Sequence, residues 1–175
     1  MKRYAIFLRG VTPTGKNRVP MAELRAALSD AGLLDVQTYI QSGNVIAKSA
    51  LDQSALEALV HEVILREIGA SLTILVRTHE QLQRVMAGNP FPVTAASRTY
   101  FSLFSVPAEA QLIEELSQGE FSPDTVVIGV EALYTLYATK QSDSKCNNNF
   151  YERKLKVALT TRNFNTMSRL VELSA

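Results

Sequence analysis

Amide, hydroxyl and cationic side chains crowd residues 144–166, SKCNNNFYERKLKVALTTRNFNT, more densely than the packing of a core requires. Asn147, Asn148, Asn149, Asn163 and Asn165 supply amide donors and acceptors. Thr160, Thr161 and Thr166 add hydroxyls, and Lys145, Arg153, Lys154, Lys156 and Arg162 add positive charge. Such a set suits an anion. It does not define a reaction, because the stretch has no nucleophile beside a base and no metal-ligand spacing, so catalysis stays unassigned.

Charge points the same way. Residues 140–169 hold seven Lys or Arg against two Asp or Glu, and residues 1–25 hold six against one, so each segment carries +5. The chain totals +1, which leaves about −9 for everything else. Basic charge is thus segregated at the two ends of the sequence. If the fold brings them together, a positively charged cleft results.

The opening segment has its own candidate. Residues 10–16 match G-x-x-x-x-G-K and follow an apolar run, the context of a phosphate-binding loop. Asn17 stands where such a loop presents Ser or Thr to magnesium, and Pro20 delays the helix that should follow at once. A nucleoside triphosphatase is therefore disfavoured. The milder expectation is that glycine amides with Arg9, Lys16 and Arg18 hold an anion, with Asn17 beside them.

A turn near TYIQSGN places Tyr39, Gln41, Ser42 and Asn44 close together. Turn chemistry accounts for Ser42, Gly43 and Asn44, whereas Tyr39 and Gln41 alternate and should share a face, beside Arg9 if their strand pairs with the first. Among Asn147, Asn148 and Asn149, helix capping needs one residue and leaves two in excess. Before the last helix, Thr161 or Asn163 suffices as a cap, so Arg162 and Asn165 are extra, and a helix start beside an arginine is a ready anion site. His61 and His79 read as solvated, Glu114 and Glu115 as an outer helix face, and Glu152 as a base or, more commonly, an arginine partner. Cys146 reads as a spare thiol in a loop.

These residues need elements to position them. Tyr4 to Leu8 reads as a strand buried on both faces, and residues 9–20 as a loop. Met21, Leu24, Ala27, Leu28 and Ala31 recur at helical spacing, with Pro20 in the first turn and Gly32 as the stop. Residues 36–48 read as a hairpin, 54–68 as an amphipathic helix and 72–76 as a strand. That order is the split βαβ unit of a ferredoxin-like sandwich.

A helix over 79–86 leads to GNPFPV, a boundary rich in proline. The same order then returns: strand 100–106, helix 108–116, strands 125–129 and 132–138, helix 148–156, a short strand at ALTT and a last helix carrying Met167, Leu170 and Val171. The expectation is an α+β chain of two tandem ferredoxin-like (βαββαβ) subdomains, 1–88 and 89–175, sharing order but not sequence. The 175 residues, 46% hydrophobic and 20% charged, suit a folded chain with a usable core. One cysteine, an apolar opening broken at Arg9 and no long apolar run predict a cytoplasmic protein without a membrane partner.

The stretches LRGV, GKNRVPMAELRAAL, VQTYIQSGNVI, NPFP and SKCNNNFYERKLKVALTTRNFNTMSRL together resemble an uncharacterised bacterial family, domain of unknown function number 1697. The chain departs from that family's pattern at Thr12, Pro13 and Thr14, where the family tends to asparagine and glycine. The resemblance implies a compact α+β protein of two ferredoxin-like subdomains and implies no activity. The favoured expectation is a small anionic ligand, phosphorylated or nucleotide-like, held in a basic cleft between the subdomains by Arg9, Lys16, Asn17, Tyr39, Gln41, Ser42, Asn44, Lys145, Asn149, Thr161, Arg162 and Asn163. A nucleic-acid-binding module is the alternative, though the glycine-aromatic signature of an RNA-recognition strand is absent. A protein-interaction domain without catalysis is the third. Cofactor, metal requirement and oligomeric state are open at this stage.

Overall fold

The computed structural model of the protein describes residues 1–175. Met1–Leu82 with Leu170–Ala175 form one compact unit, and Gln83–Arg169 form a second.

The first unit runs β1 (Lys2–Arg9), α1 (Met21–Asp30), β2 (Leu34–Tyr39), β3 (Asn44–Ser49), α2 (Gln53–Glu67) and β4 (Thr73–Thr78). Its antiparallel sheet has the order β2-β3-β1-β4, which places the first and third strands at the centre as the split βαβ arrangement demands. Tyr4 to Leu8 are buried without interruption, as an apolar run covered on both faces should be. Tyr4, Ile6 and Leu8 join Leu24 and Leu28 of α1 and Leu56, Val60 and Ile64 of α2 in one core, while Ala5 and Phe7 point to the opposite face. Pro20 lies one residue before α1, at its cap position, not inside the first turn.

β2 pairs with β3 alone, and β3 takes the place beside β1. The condition for Tyr39 and Gln41 to lie beside Arg9, pairing of their strand with β1, is therefore not met. Gln41 also sits in the turn beyond β2, after Ile40 at φ 50°.

In the second unit, β5 (Thr99–Phe104), α4 (Ala110–Ser117), β6 (Thr125–Ile128), β7 (Ala132–Leu136), α5 (Asn148–Leu155) and β8 (Leu159–Asn163) give the sheet order β6-β7-β5-β8. Position by position this is the order of the first sheet. The fold is α+β, two tandem βαββαβ units with one four-stranded antiparallel sheet each. Two further helices, α3 (His79–Ala87) and α6 (Phe164–Ser174), follow β4 and β8.

Cys146 lies in the loop before α5, as its sequence context suggests, but its thiol is not spare. It is fully buried with Phe104, Leu133, Tyr151 and Leu159 in the second core, and burial pushes its pKa up. Nor are the histidines bare: His61 Nδ1 lies 2.6 Å from the Leu72 carbonyl, and His79 Nδ1 lies 3.2 Å from Ser174 Oγ. No helix is long and apolar enough to cross a membrane.

The two halves also share a local pattern. Asp52 caps α2 by accepting from Ala55 N, and Asn147 caps α5 by accepting from Phe150 N. The first residue of each helix is an amide and the fifth a glutamate: Gln53 with Glu57, Asn148 with Glu152. Gln53 Nε2 donates to Val76 O and Val76 N donates to Glu57 Oε1, at 2.7 and 2.8 Å. Correspondingly Asn148 Nδ2 donates to Leu159 O and Leu159 N donates to Glu152 Oε1, at 2.7 and 3.4 Å. In both units a helix thereby satisfies the backbone of the last strand from its open side.

Candidate functional site

No buried side-chain nitrogen or oxygen lacks a hydrogen-bond partner, so no orphaned group inside the chain demands a ligand. No three His, Cys, Asp or Glu side chains converge as a metal site. A ligand site must therefore be sought among surface clefts.

In the first unit a cleft of about 540 Å³ opens between the loop leaving β1 and the turn joining β2 to β3. Val11, Thr12, Arg18, Pro20, Gln41 and Ser42 line it, and none of its nine lining residues is acidic. Two local devices build its walls. On one side Thr12 N donates to Asn17 O and Arg18 N donates to Gly15 O, at 3.0 and 3.2 Å, folding residues 12–18 into a closed loop with exposed Lys16 at its tip.

On the other side the turn is pressed against β1. Leu8 N donates to Gly43 O at 2.8 Å, and a Cβ at Gly43 would stand 2.8 Å from Leu8 Cβ and 2.9 Å from a Val11 methyl. With φ at +85° besides, only glycine fits. Asn44 lies beneath, fully buried, and its amide donates to Tyr39 O and Ser42 Oγ at 3.1 and 2.9 Å. Its side chain stiffens the turn that presents Gln41 and Ser42.

The chemistry of the cleft is that of a donor site. Arg18 is exposed and makes no side-chain hydrogen bond or ion pair, leaving all five guanidinium N–H groups available. Pro20 brings the start of α1 to the edge, and α1 has no side-chain cap, so its first N–H groups are unsatisfied from within the chain. Glu23 in that first turn offsets part of the local positive field.

The remaining candidates fall into separate sets. Arg9, Tyr39 and Asn44 share the sheet face that carries Phe7, opposite to α1 and α2, because Asn44 stands across from Phe7 and from Tyr39. In the second unit the alternation of β8 divides the cluster. Thr161 and Asn163 share the helix-covered face with Leu159, whereas Arg162 and Thr160 occupy the other.

Thr161 is tied to Ser102 Oγ at 2.8 Å and donates to Asn148 Oδ1, and Asn163 caps the last helix by accepting from Thr166 N at 2.8 Å. Arg162 donates to Thr160 Oγ1 and Thr161 O at 2.7 and 2.9 Å. Although its surface is only partly covered, desolvation around the guanidinium draws its pKa down to about 10. Lys145 and Asn149 are exposed.

A wider depression of about 730 Å³ in the second unit is lined by Arg98, Tyr100, Lys140 and Asp143 among others. Its arginine already donates to Tyr137 O at 3.1 Å, and Asp143 adds a carboxylate. For an anion it is the poorer cleft.

A family model described as Protein of unknown function (DUF1697) matches residues 1–134. The chain belongs to this family. The DUF1697 match takes in both walls of the first-unit cleft and stops short of the amide-rich stretch that begins at Ser144. In fold this DUF1697 chain is similar to a conserved bacterial protein, SP0830, from Streptococcus pneumoniae. The TM-score is 0.76 at 22% identity, over 99% of this chain and 98% of that one, a likeness of architecture alone. Among curated proteins, none matches the chain.

Sequence reasoning passed over Thr12, Val11 and Pro20 as cleft residues and gave Arg18 only a supporting place. The usable signal was the pairing of a tight Gly43 turn with a loop that leaves the central strand at the same end.

Proposed function

We propose that the protein binds a small anionic ligand, phosphorylated or nucleotide-like, in the cleft between residues 11–20 and the turn at 40–43. The observation that carries this reading is Arg18: an exposed, unengaged guanidinium beside the Ser42 hydroxyl, the Gln41 amide and the uncapped start of α1, in a cleft without carboxylates. Lys16 adds to the field from the loop tip. The apolar side of the cleft, Val11, Pro13, Val19 and Ile40, suits a ligand with a less polar body attached to its anionic group. Nothing in the cleft is placed as a nucleophile or base, so the proposal is one of binding.

Thermal denaturation at low salt with inorganic phosphate, AMP and glucose 6-phosphate tests it. A ligand of the native state raises the melting temperature in a concentration-dependent way. The expected outcome is a rise with at least one phosphorylated probe that Arg18→Ala abolishes and Arg18→Lys partly restores. Equal shifts in wild type and Arg18→Ala would remove the cleft from the account.

A further inference from the structure

Two four-stranded sheets have four open edges, and the chain treats one of them differently. An edge strand offers unpaired N–H and C=O groups to any extended chain, and folded proteins ordinarily blunt it with charge, bulges or covering side chains. Three edges here are blunted. β4 has Val76 engaged by Gln53 and Glu57, and β8 has Leu159 engaged by Asn148 and Glu152. β2 is broken by a register shift between Leu34 and Gln37 and carries Asp35, at φ 52° and paired with Lys48 at 2.7 Å.

β6 has none of these devices. Residues 125–130 read TVVIGV, without an ionisable group, and Val127 and Val130 are 40% and 88% exposed. Gly129 N donates to Ala132 O at 2.8 Å across the β7 pairing. By the alternation of an antiparallel ladder Thr125 and Val127 also turn their backbone toward β7, while Val126 and Ile128 turn theirs outward.

We propose that β6 pairs with β6 of a second copy of this chain, antiparallel about a two-fold axis at Val127, joining two sheets of four strands into one of eight. The strand is self-complementary in this register. Val126 stands opposite the copy's Ile128 with both backbones facing the partner, a hydrogen-bonded pair. Val127 meets its own copy as a non-hydrogen-bonded pair, about 4.5 Å between Cα atoms, where side chains are closest. Val126 and Ile128 already pack against the second core, so pairing extends that apolar layer into the copy, and Val127 with Val127 covers the opposite face. No charge meets a like charge across the axis. A strand of four residues makes this a concentration-dependent dimer, of the closed two-fold type commonest among oligomers.

The test is sedimentation velocity of the full chain from micromolar to millimolar concentration, with circular dichroism confirming that each variant is folded. Wild type is expected to pass from monomer to dimer, and Val127→Lys and Val127→Glu to remain monomeric separately. Mixed in equal amounts, the two variants are expected to recover the dimer, because opposite charges then meet at the axis. A wild type that stays monomeric at every concentration overturns the proposal, as does a dimer that Val127→Lys leaves intact. A monomer that instead takes up an uncharged extended peptide along β6 would assign the edge to a different partner and equally overturn it.

Discussion

The run Asn147, Asn148 and Asn149 is a case of three identical residues with three different tasks. Asn147 caps α5 through Phe150 N, Asn148 bridges Leu159 O, Glu152 and Thr161, and Asn149 is exposed. From the sequence, a surplus of amides over capping needs reads as ligand character, and part of that surplus is structural. The distinction was illegible because it depends on β8 lying beside α5, a contact between residues separated by a loop and a left-handed turn at Lys156. Alanine at Asn147 should cost about 1 kcal/mol of stability as a lost cap. At Asn148 alanine should cost about 1–3 kcal/mol through unsatisfied buried partners, and at Asn149 no more than about 0.5 kcal/mol. Denaturant unfolding of the three variants measures the order directly.

Among the elements, strands and helices were mostly readable because their periods are strong: the unbroken Tyr4 to Leu8 run, the leucine and valine face of α2, and the tight turn at Gly43. Strand partners were harder. Whether the strand of Tyr39 pairs with β1 was open in the sequence, and the strand that follows the turn takes that place, since the split βαβ order puts the third strand next to the first. The edge-covering pairs Gln53 with Glu57 and Asn148 with Glu152 went unread because their partners are backbone groups, which leave no mark in a sequence.

Glu57 carries a consequence for pH. Burial is the largest influence on its carboxyl and raises its pKa above 4.5, against the pull of Val76 N–H and Arg77. The native state therefore holds this proton to a higher pH than the unfolded chain does. Its contribution is most favourable below pH 4.5 and is lost as pH rises through the raised native value. Glu57→Gln keeps an acceptor for Val76 N without the desolvated charge. Chemical denaturation across that window should show the variant matching or exceeding wild type at neutral pH, with a flatter dependence on pH. A variant as pH-dependent as wild type would mean that Glu57 is not the group responsible.

At the scale of the whole molecule, the chain repeats one topology, and each half seals the edge of its last strand with a capping side chain, an amide and a glutamate. Charge segregation was visible at once, because it is a sum over residues and needs no geometry. What such a sum lacks is any indication of which cations are engaged. Arg162 is tied to its own strand, while Arg18 stands free beside a cleft without acids. The proposed anion binding at that cleft would rest on exposed charge, so it should weaken severalfold as ionic strength rises to the physiological range, where screening acts over about 8 Å.

The most direct measurement is an amide chemical-shift titration of the full chain with AMP at low salt. The account predicts perturbations concentrated in residues 11–20 and 40–43, lost in Arg18→Ala and reduced by added salt. Saturable shifts confined to residues 97–100 and 139–143, or no shifts at any concentration, would contradict it.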